Sequence, residues 1–323
     1  MNKKGFSAEI FKWILIAVVG GLVLTFFVRF AFQQAGIFEQ KGSVQLTQSL
    51  EDQLEAFGVS ELSSKAISLG YNTEIQFDCE RIINLQYPKR TNLLIFGPSK
   101  ATGNKLLTLT KTWEFPFPVA NLYYIAGEKS RFLLVYDKDS LSQVAQFNFP
   151  SIFNLQKTNI DNLNLDDLSQ NTKSLETLNL VYFTKIPRAA EIFRKFTHLK
   201  LNLVEINLDL NEIKIYKQDG SFTQTYFLED AILYGAIFGP ENFECVKEKT
   251  IERLNLVAQV HEQKATYLST KTSSELCKAK YFEIRSTIDS LTTSDSKQSF
   301  YDSKERVDSQ NKGLRKNACP TIY

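Results

Sequence analysis

One stretch of this chain is apolar almost without interruption, and most of the remaining apolar patterns are periodic. Trp13 to Phe32 runs for 20 residues with a single charge, Arg29. At a rise of 1.5 Å per residue such a helix spans about 30 Å, the thickness of a bilayer's hydrocarbon core. A glycine-bounded linker, Gly36 to Gly42, follows it. Ser43 then caps an expected helix with Leu46, Leu50, Leu54 and Phe57 on one face, spaced four, four and three, and Gly58 closes it. From residue 71 the period falls to two. "YNTEIQFDC" sets Tyr71, Ile75, Phe77 and Cys79 on one side. "LLTLTKTWEFPF" sets Leu107, Leu109, Trp113, Phe115 and Phe117 opposite Thr108, Thr110, Thr112 and Glu114, the alternation of a half-buried strand. Pro116 and Pro118 put its end at a turn or a sheet edge.

Two later stretches repeat one plan. "FLLVYDKDSLSQVAQFNF" and "LNLVYFTKIPRAAEIFRKF" each give an apolar strand ending in Val-Tyr and then a short helix, and "LKLNLVEINL" returns as another strand. Strand, helix and strand at this spacing predict right-handed crossovers in a mixed or parallel sheet. "NEIKIYKQDGSFTQTYF" reads as a hairpin turning at Asp219-Gly220. After Gly239-Pro240 the period becomes helical. A first helix carries Val246, Thr250, Leu254, Val257, His261 and Leu268. A second opens on Thr272-Ser273-Ser274-Glu275, read as a capping box, and carries Cys277, Tyr281, Ile284, Ile288 and Leu291. A third carries Phe300, Val307 and Leu314. These spacings predict antiparallel helices packed along heptad-like seams.

The chain therefore divides into an N-terminal tail (1–12), a transmembrane helix (13–32), a linker with an amphipathic helix (33–70), a mixed-sheet domain (71–238) and a C-terminal helical region packed on the sheet (239–323). The fold class expected is α+β or mixed α/β, with short crossover helices and a C-terminal antiparallel helical layer, on one N-terminal transmembrane helix.

The apolar run is too long for the core of a secretory signal, and its far flank, Val28-Arg29-Phe30-Ala31-Phe32-Gln33, offers no small-x-small cleavage site. Lys3, Lys4 and Lys12 precede it, whereas Arg29 and Lys41 are the only near positives after it. The positive-inside bias sets residues 1–12 in the cytoplasm and the chain beyond about residue 34 outside, a single-pass protein of the cell membrane. Lys4-Gly5-Phe6, with Glu9 close behind, resembles a class III, prepilin-like signal. That resemblance implies cleavage after Gly5 and a pilin-like subunit beginning at Phe6. Glu9 falls one residue early for that family and Lys12 interrupts the apolar helix. The "KKGFSAEIFKWI" entry and the terminal "NACPTIY" resemble single-pass envelope proteins of archaea. This implies an extracytoplasmic domain and brings no activity with it.

Composition narrows the chemistry. The 323 residues are 43% apolar and 12% aromatic with a net charge of +2, and the basic residues are dispersed, so no nucleic-acid footprint is present. With two histidines and four separated cysteines, no His-rich metal centre and no Cys-x-x-Cys motif can be assembled. In an outside compartment the four cysteines read as two disulfides. The reversal between the second and third C-terminal helices is centred near Asp295, with Cys277 18 residues before it and Cys319 24 after it. Gly313 and Pro320 let the tail fold back, which brings Cys319 to Cys277. The first helical turn, near residue 270, sets Cys245 and Cys277 at unequal distances, so Cys245 is left to Cys79.

Candidate chemistry beyond the cysteines is sparse. "GPSKATGNK", Gly97 to Lys105, has the wrong glycine spacing and the wrong lysine position for a phosphate loop and reads as a hairpin loop. Asp137 and Asp139 follow a strand at the end where open α/β sheets bind ligands, and Asp139 equally suits a helix N-cap. His261 lies on an apolar helix face, where a seam histidine with one hydrogen bond explains it; His198 sits in a loop. No nucleophile, paired-carboxylate or cofactor pattern is present. The expectation is a membrane-anchored, extracytoplasmic binding or assembly component, without catalysis and without a cofactor. Its contacts are the bilayer through residues 13–32 and an envelope protein or a second copy through residues 241–316. The alternatives are the pilin-like subunit and an anchored hydrolase or transferase using acidic residues at strand ends.

Overall fold

The computed structural model describes residues 3–58, 63–84, 87–145, 147, 149–294 and 296–323, with the side chains of 3–12, 14–17 and 31–41 outside that description. It is a mixed α/β structure of two six-stranded mixed sheets and helices. The first sheet holds β1 (Ser64–Phe77), β2 (Arg81–Asn84), β3 (Tyr87–Arg90), β4 (Leu94–Phe96), β5 (Lys100–Glu114) and β6 (Pro118–Gly127), in the order β3-β2-β1-β5-β6-β4. Its pairs are antiparallel except β4 on β6. The second holds β7 (Ser130–Tyr136), β8 (Asn154–Asn159), β9 (Thr177–Tyr182), β10 (Lys200–Asn207), β11 (Glu212–Tyr216) and β12 (Phe222–Tyr226), in the order β12-β11-β10-β9-β7-β8. The four strands β8, β7, β9 and β10 run parallel, and β11 and β12 return as the hairpin predicted at Asp219-Gly220.

The N-terminal helix α1 (Lys3–Phe57) is continuous through Gly36–Gly42, where the sequence suggested a linker. Ser43 is inside it and donates its hydroxyl to the Asn84 carbonyl at 2.7 Å instead of capping a new helix. The two glycines, Gly36 and Gly42, cost only about 1 kcal/mol each, which the flanking helical turns absorb. Leu50 and Leu54, with Leu46 and Phe57 beside them, pack on Ile67, Leu69, Ile75 and Leu106 of the first sheet. That cover removes the open face expected of β5. Thr108 and Thr110 are buried beneath α1, and their hydroxyls bond to the carbonyls of Lys65 and Ser63. β1 also begins at Ser64, seven residues before the expected start, and its register on β5 shifts between Ser68 and Thr73. The shift leaves Tyr71 exposed while Ile75 and Phe77 are buried.

Of the expected transmembrane span, Trp13 and Val18 to Phe30 have described side chains, all exposed; those of 14–17, 31 and 32 lie outside the described residues, as do those of 1–12. Among the described residues no helix is long and apolar enough to cross a membrane.

The two sheets are joined by a helix the sequence reading left inside its sheet region. Helix α5 (Glu229–Phe238) buries Ala231, Ile232, Leu233, Ala236, Ile237 and Phe238 between them. A helix apolar on every side shows no 3.6-residue period, so its sequence "AILYGAIF" looks like strand. Its contacts are aromatic on both sides. The Tyr124 hydroxyl of β6 donates to the Ala231 carbonyl at 2.6 Å, and the Phe132 ring of β7 lies 4.7 Å from Phe238. Two glycines set the spacing: a Cβ on Gly235 would enter the Phe96 ring, and one on Gly239 would strike the Gly97 backbone.

Three antiparallel helices complete the fold: α6 (Phe243–Lys271), α7 (Glu275–Thr292) and α8 (Lys297–Lys316). The α7 seam is buried at all five expected positions and α8 at Phe300, Val307 and Leu314. On α6 Val246, Thr250 and Leu254 are buried as expected, and beyond them the buried positions are Ala258, Ala265 and Ser269, so that half of the stripe is turned by about a residue. Val257, His261 and Leu268 fall on its margin. The cap of α7 is Ser274, accepting the Cys277 amide, and not Thr272. The reciprocal capping box is at Ser296 and Ser299 of α8.

Candidate functional site: the crevice at the carboxyl edge of the second sheet

From β7 the chain crosses to β8 through α2 (Leu141–Ala145), and from β9 it crosses the other way to β10 through α4 (Ala189–Lys195). Val144 of α2 joins the core between the sheets, while Ala189, Ile192 and Phe193 of α4 join the cluster on the opposite face. The two connections thus part over neighbouring strands. Open α/β sheets leave a ligand crevice at such a switch point, outside the carboxyl ends of the strands. Here a cavity of about 410 Å³ opens between them. It is lined by Asp137, Asp139, Ser140 and Gln143 after β7, Thr184 and Lys185 after β9, and Glu205 and Asp209 on and after β10. Glu212, Lys214 and Gln224 close it from the hairpin.

Each wall is built from local hydrogen bonds. Asp137, and not Asp139 as the expected N-cap, makes the hydrogen bonds before α2: its Oδ1 accepts the Ser140 amide at 2.9 Å and hydroxyl at 2.8 Å, and the Ser140 hydroxyl accepts the Asp137 amide at 3.0 Å. The Thr184 hydroxyl, then the Ser140 donors, hold its carboxyl below the usual carboxylate range. This frees Asp139, which is exposed to the cavity. Glu205 is the deepest charge, 9% exposed. Its carboxylate accepts from Lys214 Nζ at 2.7 Å, Tyr216 Oη at 2.9 Å and the Ile186 amide at 3.0 Å. Burial pushes its pKa up, but these donors outweigh burial and hold it below the ordinary value. The same contact and burial push Tyr216 up to about 12. Gln143 donates to Asp209 and Gln224 to Glu212, each at 3.1 Å.

The rim therefore carries five carboxylates against two lysines, of which Lys214 is already held by Glu205. Asp139 and Lys185 have no side-chain partner among the described residues. Among those residues no three His, Cys, Asp or Glu side chains converge as a metal site. What the arrangement can do is hold a small polar, cation-bearing group by carboxylates and amides on a floor of Phe183 and Ile206. Of the sequence-level candidates, the crevice gathers Asp137 and Asp139. It adds Thr184, Glu205 and Asp209, whose one sequence signal is polarity at the close of apolar strands. Glu205 breaks the apolar run of "LVEINL".

The other candidates stand elsewhere. His261 packs its ring 4.3 Å from Phe117 and 5.9 Å from Tyr323. Burial and Lys264 hold its imidazole below the usual value, and Nδ1 has no partner among the described residues. It is a seam residue of the tail. His198 faces the Thr172 hydroxyl at 3.5 Å. "GPSKATGNK" is no hairpin: Gly97 to Ser99 link β4 to β5, Lys100 onward is β5 itself, and β4 pairs with β6. The cysteines form Cys79–Cys245 and Cys277–Cys319, with Cα atoms 6.0 and 5.7 Å apart. The first ties the β1–β2 turn to α6 and the second pins the tail to α7. No protein-family model, no curated protein and no solved structure matches this chain, so its function is read from the crevice geometry itself.

Proposed function

We propose that this protein is a membrane-anchored, extracytoplasmic binding component of the cell envelope, and that it takes a small cation-bearing polar ligand in the carboxyl-edge crevice. The observation that carries the reading is the parting of the α2 and α4 connections over β7 and β9 around a cavity rimmed by Asp137, Asp139, Asp209 and Glu212. Anchorage is supported by the apolar length of residues 13–32 and by the exposed run that includes Leu22, Leu24, Phe26 and Phe27. Two disulfides agree with an oxidising compartment. The heptad seams of 241–316 are buried within the chain, so a protein partner there would meet the opposite face of α6, at Leu256, Val260 and Tyr267. The test is thermal stability of the full chain in detergent against small amines and matched carboxylates. A ligand at 100 times its Kd stabilises by about 2.7 kcal/mol. Amines should raise the midpoint, carboxylates should not, and Asp139→Asn should remove the rise; a panel with no amine response would overturn the reading.

A second reading is favoured by one observation, the uncommitted Asp139 carboxylate beside the turn held by Asp137. It is hydrolysis or group transfer with Asp139 as acid or base. Turnover of an ester, phosphoester or glycoside panel, abolished by Asp139→Asn, would favour it over binding alone.

A further inference from the structure

Between Leu107 and Phe115 the core-facing positions have one charged member. Leu107, Leu109, Trp113 and Phe115 alternate toward the core between the sheets, and the residue in register between Leu109 and Trp113 is Lys111. A lysine placed on a core-facing position breaks the binary pattern of its strand, and such breaks concentrate at functional sites. Its side chain crosses to α5, where the amine lies 4.7 Å from the centre of the Tyr234 ring. Among the described residues it makes no ion pair and no hydrogen bond. It opens instead on a cavity of about 380 Å³ lined by Lys111, Trp113, Glu114, Glu229, Asp230 and Ala231.

We propose that Lys111 is a covalent capture residue, whose ε-amine takes a small aldehyde or ketone in this cleft as an imine. Three observations converge on it. The cavity admits a small molecule to the amine. Trp113 and Ala231 give the cleft its apolar wall for the body of the carbonyl compound, and the Tyr234 ring borders the amine. The charged groups that face the amine are then accounted for. Burial lowers the amine's pKa from its ordinary value, and Asp230 and then Glu229 oppose that without cancelling it. Glu229 is itself engaged by Lys304 at 3.3 Å, and Glu114 points to solvent. Tyr234 is neutral, pushed up to about 12 by burial and Asp230. A lysine whose pKa is lowered by burial carries more of the neutral amine that acts as this nucleophile.

The chemistry balances without an added oxidant or reductant. The lone pair of the neutral amine attacks the carbonyl carbon and a C–N bond forms. The two amine hydrogens pass to the carbonyl oxygen, the relay assigned to Asp230 of the cleft lining, and that oxygen leaves as water. The product is a C=N bond, and hydrolysis reverses it.

Reductive labelling of the full chain in detergent tests this. Propanal with cyanoborohydride at pH 7 converts each imine to a stable secondary amine, and peptide mass mapping ranks the lysines. The expected result is alkylation at Lys111 at least tenfold faster than at surface lysines such as Lys138 or Lys316. The Lys111 rate should also reach its half-maximum at a lower pH than theirs. Lys111→Arg should erase that labelled peptide, and Asp230→Asn should slow it without altering the surface lysines. Equal rates across the lysines, or Lys111 among the slowest, would overturn the proposal from the unmodified chain alone, whether or not the variants fold.

Discussion

Glu205 shows at the level of one side chain how the crevice is held. Three donors from two segments meet on one carboxylate, so it fixes the β9–α4 loop and β11 relative to its own strand. Replacing it with alanine strands the Ile186 amide, the Tyr216 hydroxyl and the Lys214 amine together; the expected loss is about 2–3 kcal/mol, read by denaturant unfolding. The same carboxylate gives an acid dependence of known sign. Its folded pKa lies below the ordinary 4.5 that it regains on unfolding. Its contribution is therefore complete above 4.5 and is lost as the pH falls below that through the folded value. Unfolding midpoints measured at pH 7 and at successive steps below 4.5 should fall more steeply for the native chain than for Glu205→Gln. Equal slopes would mean that other carboxylates carry the acid response. The glycines of α5 give a steric counterpart. Gly239→Ala forces a methyl group against the Gly97 backbone, which cannot rotate away, and should cost about 1–3 kcal/mol. Gly313→Ala, with open space around it, should be neutral or slightly stabilising.

Between elements, the C-terminal helices are held by their seams and by one covalent tie. Ile288 is fully buried on α7, and its truncation to alanine should cost about 2–5 kcal/mol. Opening Cys277–Cys319, which are 42 residues apart, should cost about 4 kcal/mol in the chain-entropy model. Opening Cys79–Cys245, 166 apart, should cost about 5 kcal/mol by the same model. Thermal unfolding of single Cys-pair-to-Ser variants separates the two. These helices were also the most legible part of the sequence, because each meets its neighbours along one stripe and leaves the rest in water, which writes a 3.6-residue period. The crossovers at "FLLVY" and "LNLVY" were legible for a related reason: an apolar run ending at a polar turn marks a buried parallel strand. Legibility failed where an element is covered on more than one side. Helix α5 is sandwiched and has no period, β5 lies under α1 as well as over α5, and Gly36–Gly42 looks like a linker because propensity ignores the helix that continues through it. The crevice was half legible. Asp137 and Asp139 follow the first strand directly in sequence, but Glu205 and Thr184 reach them only through the crossover order, which no local pattern encodes.

At the scale of the molecule, the anchor, the disulfides and the crevice make one topological claim that can be tested as a unit. Ser43 is the first buried residue of α1 among the described side chains, and residue 32 ends the proposed span. The intervening residues 33–42 are helical, so the eleven rises of 1.5 Å from residue 32 to Ser43 set the start of the folded part about 16 Å from the membrane boundary. On the proposed reading, the three lysines before the span put the short side in the cytoplasm and both disulfides outside. The full chain should sediment with membranes and resist extraction by high salt, whereas a chain lacking residues 2–42 should appear in the soluble fraction. Protease added to intact cells should digest the folded part and leave a protected fragment shorter than about 45 residues. Mass spectrometry of that fragment also reads the mature N-terminus: Met1 or Asn2 keeps the anchor as proposed, and Phe6 transfers the chain to the prepilin-like reading. If the fragment instead comprises residues 43–323, the orientation is reversed; the cysteines would then face a reducing compartment, and alkylation without a reductant should label all four.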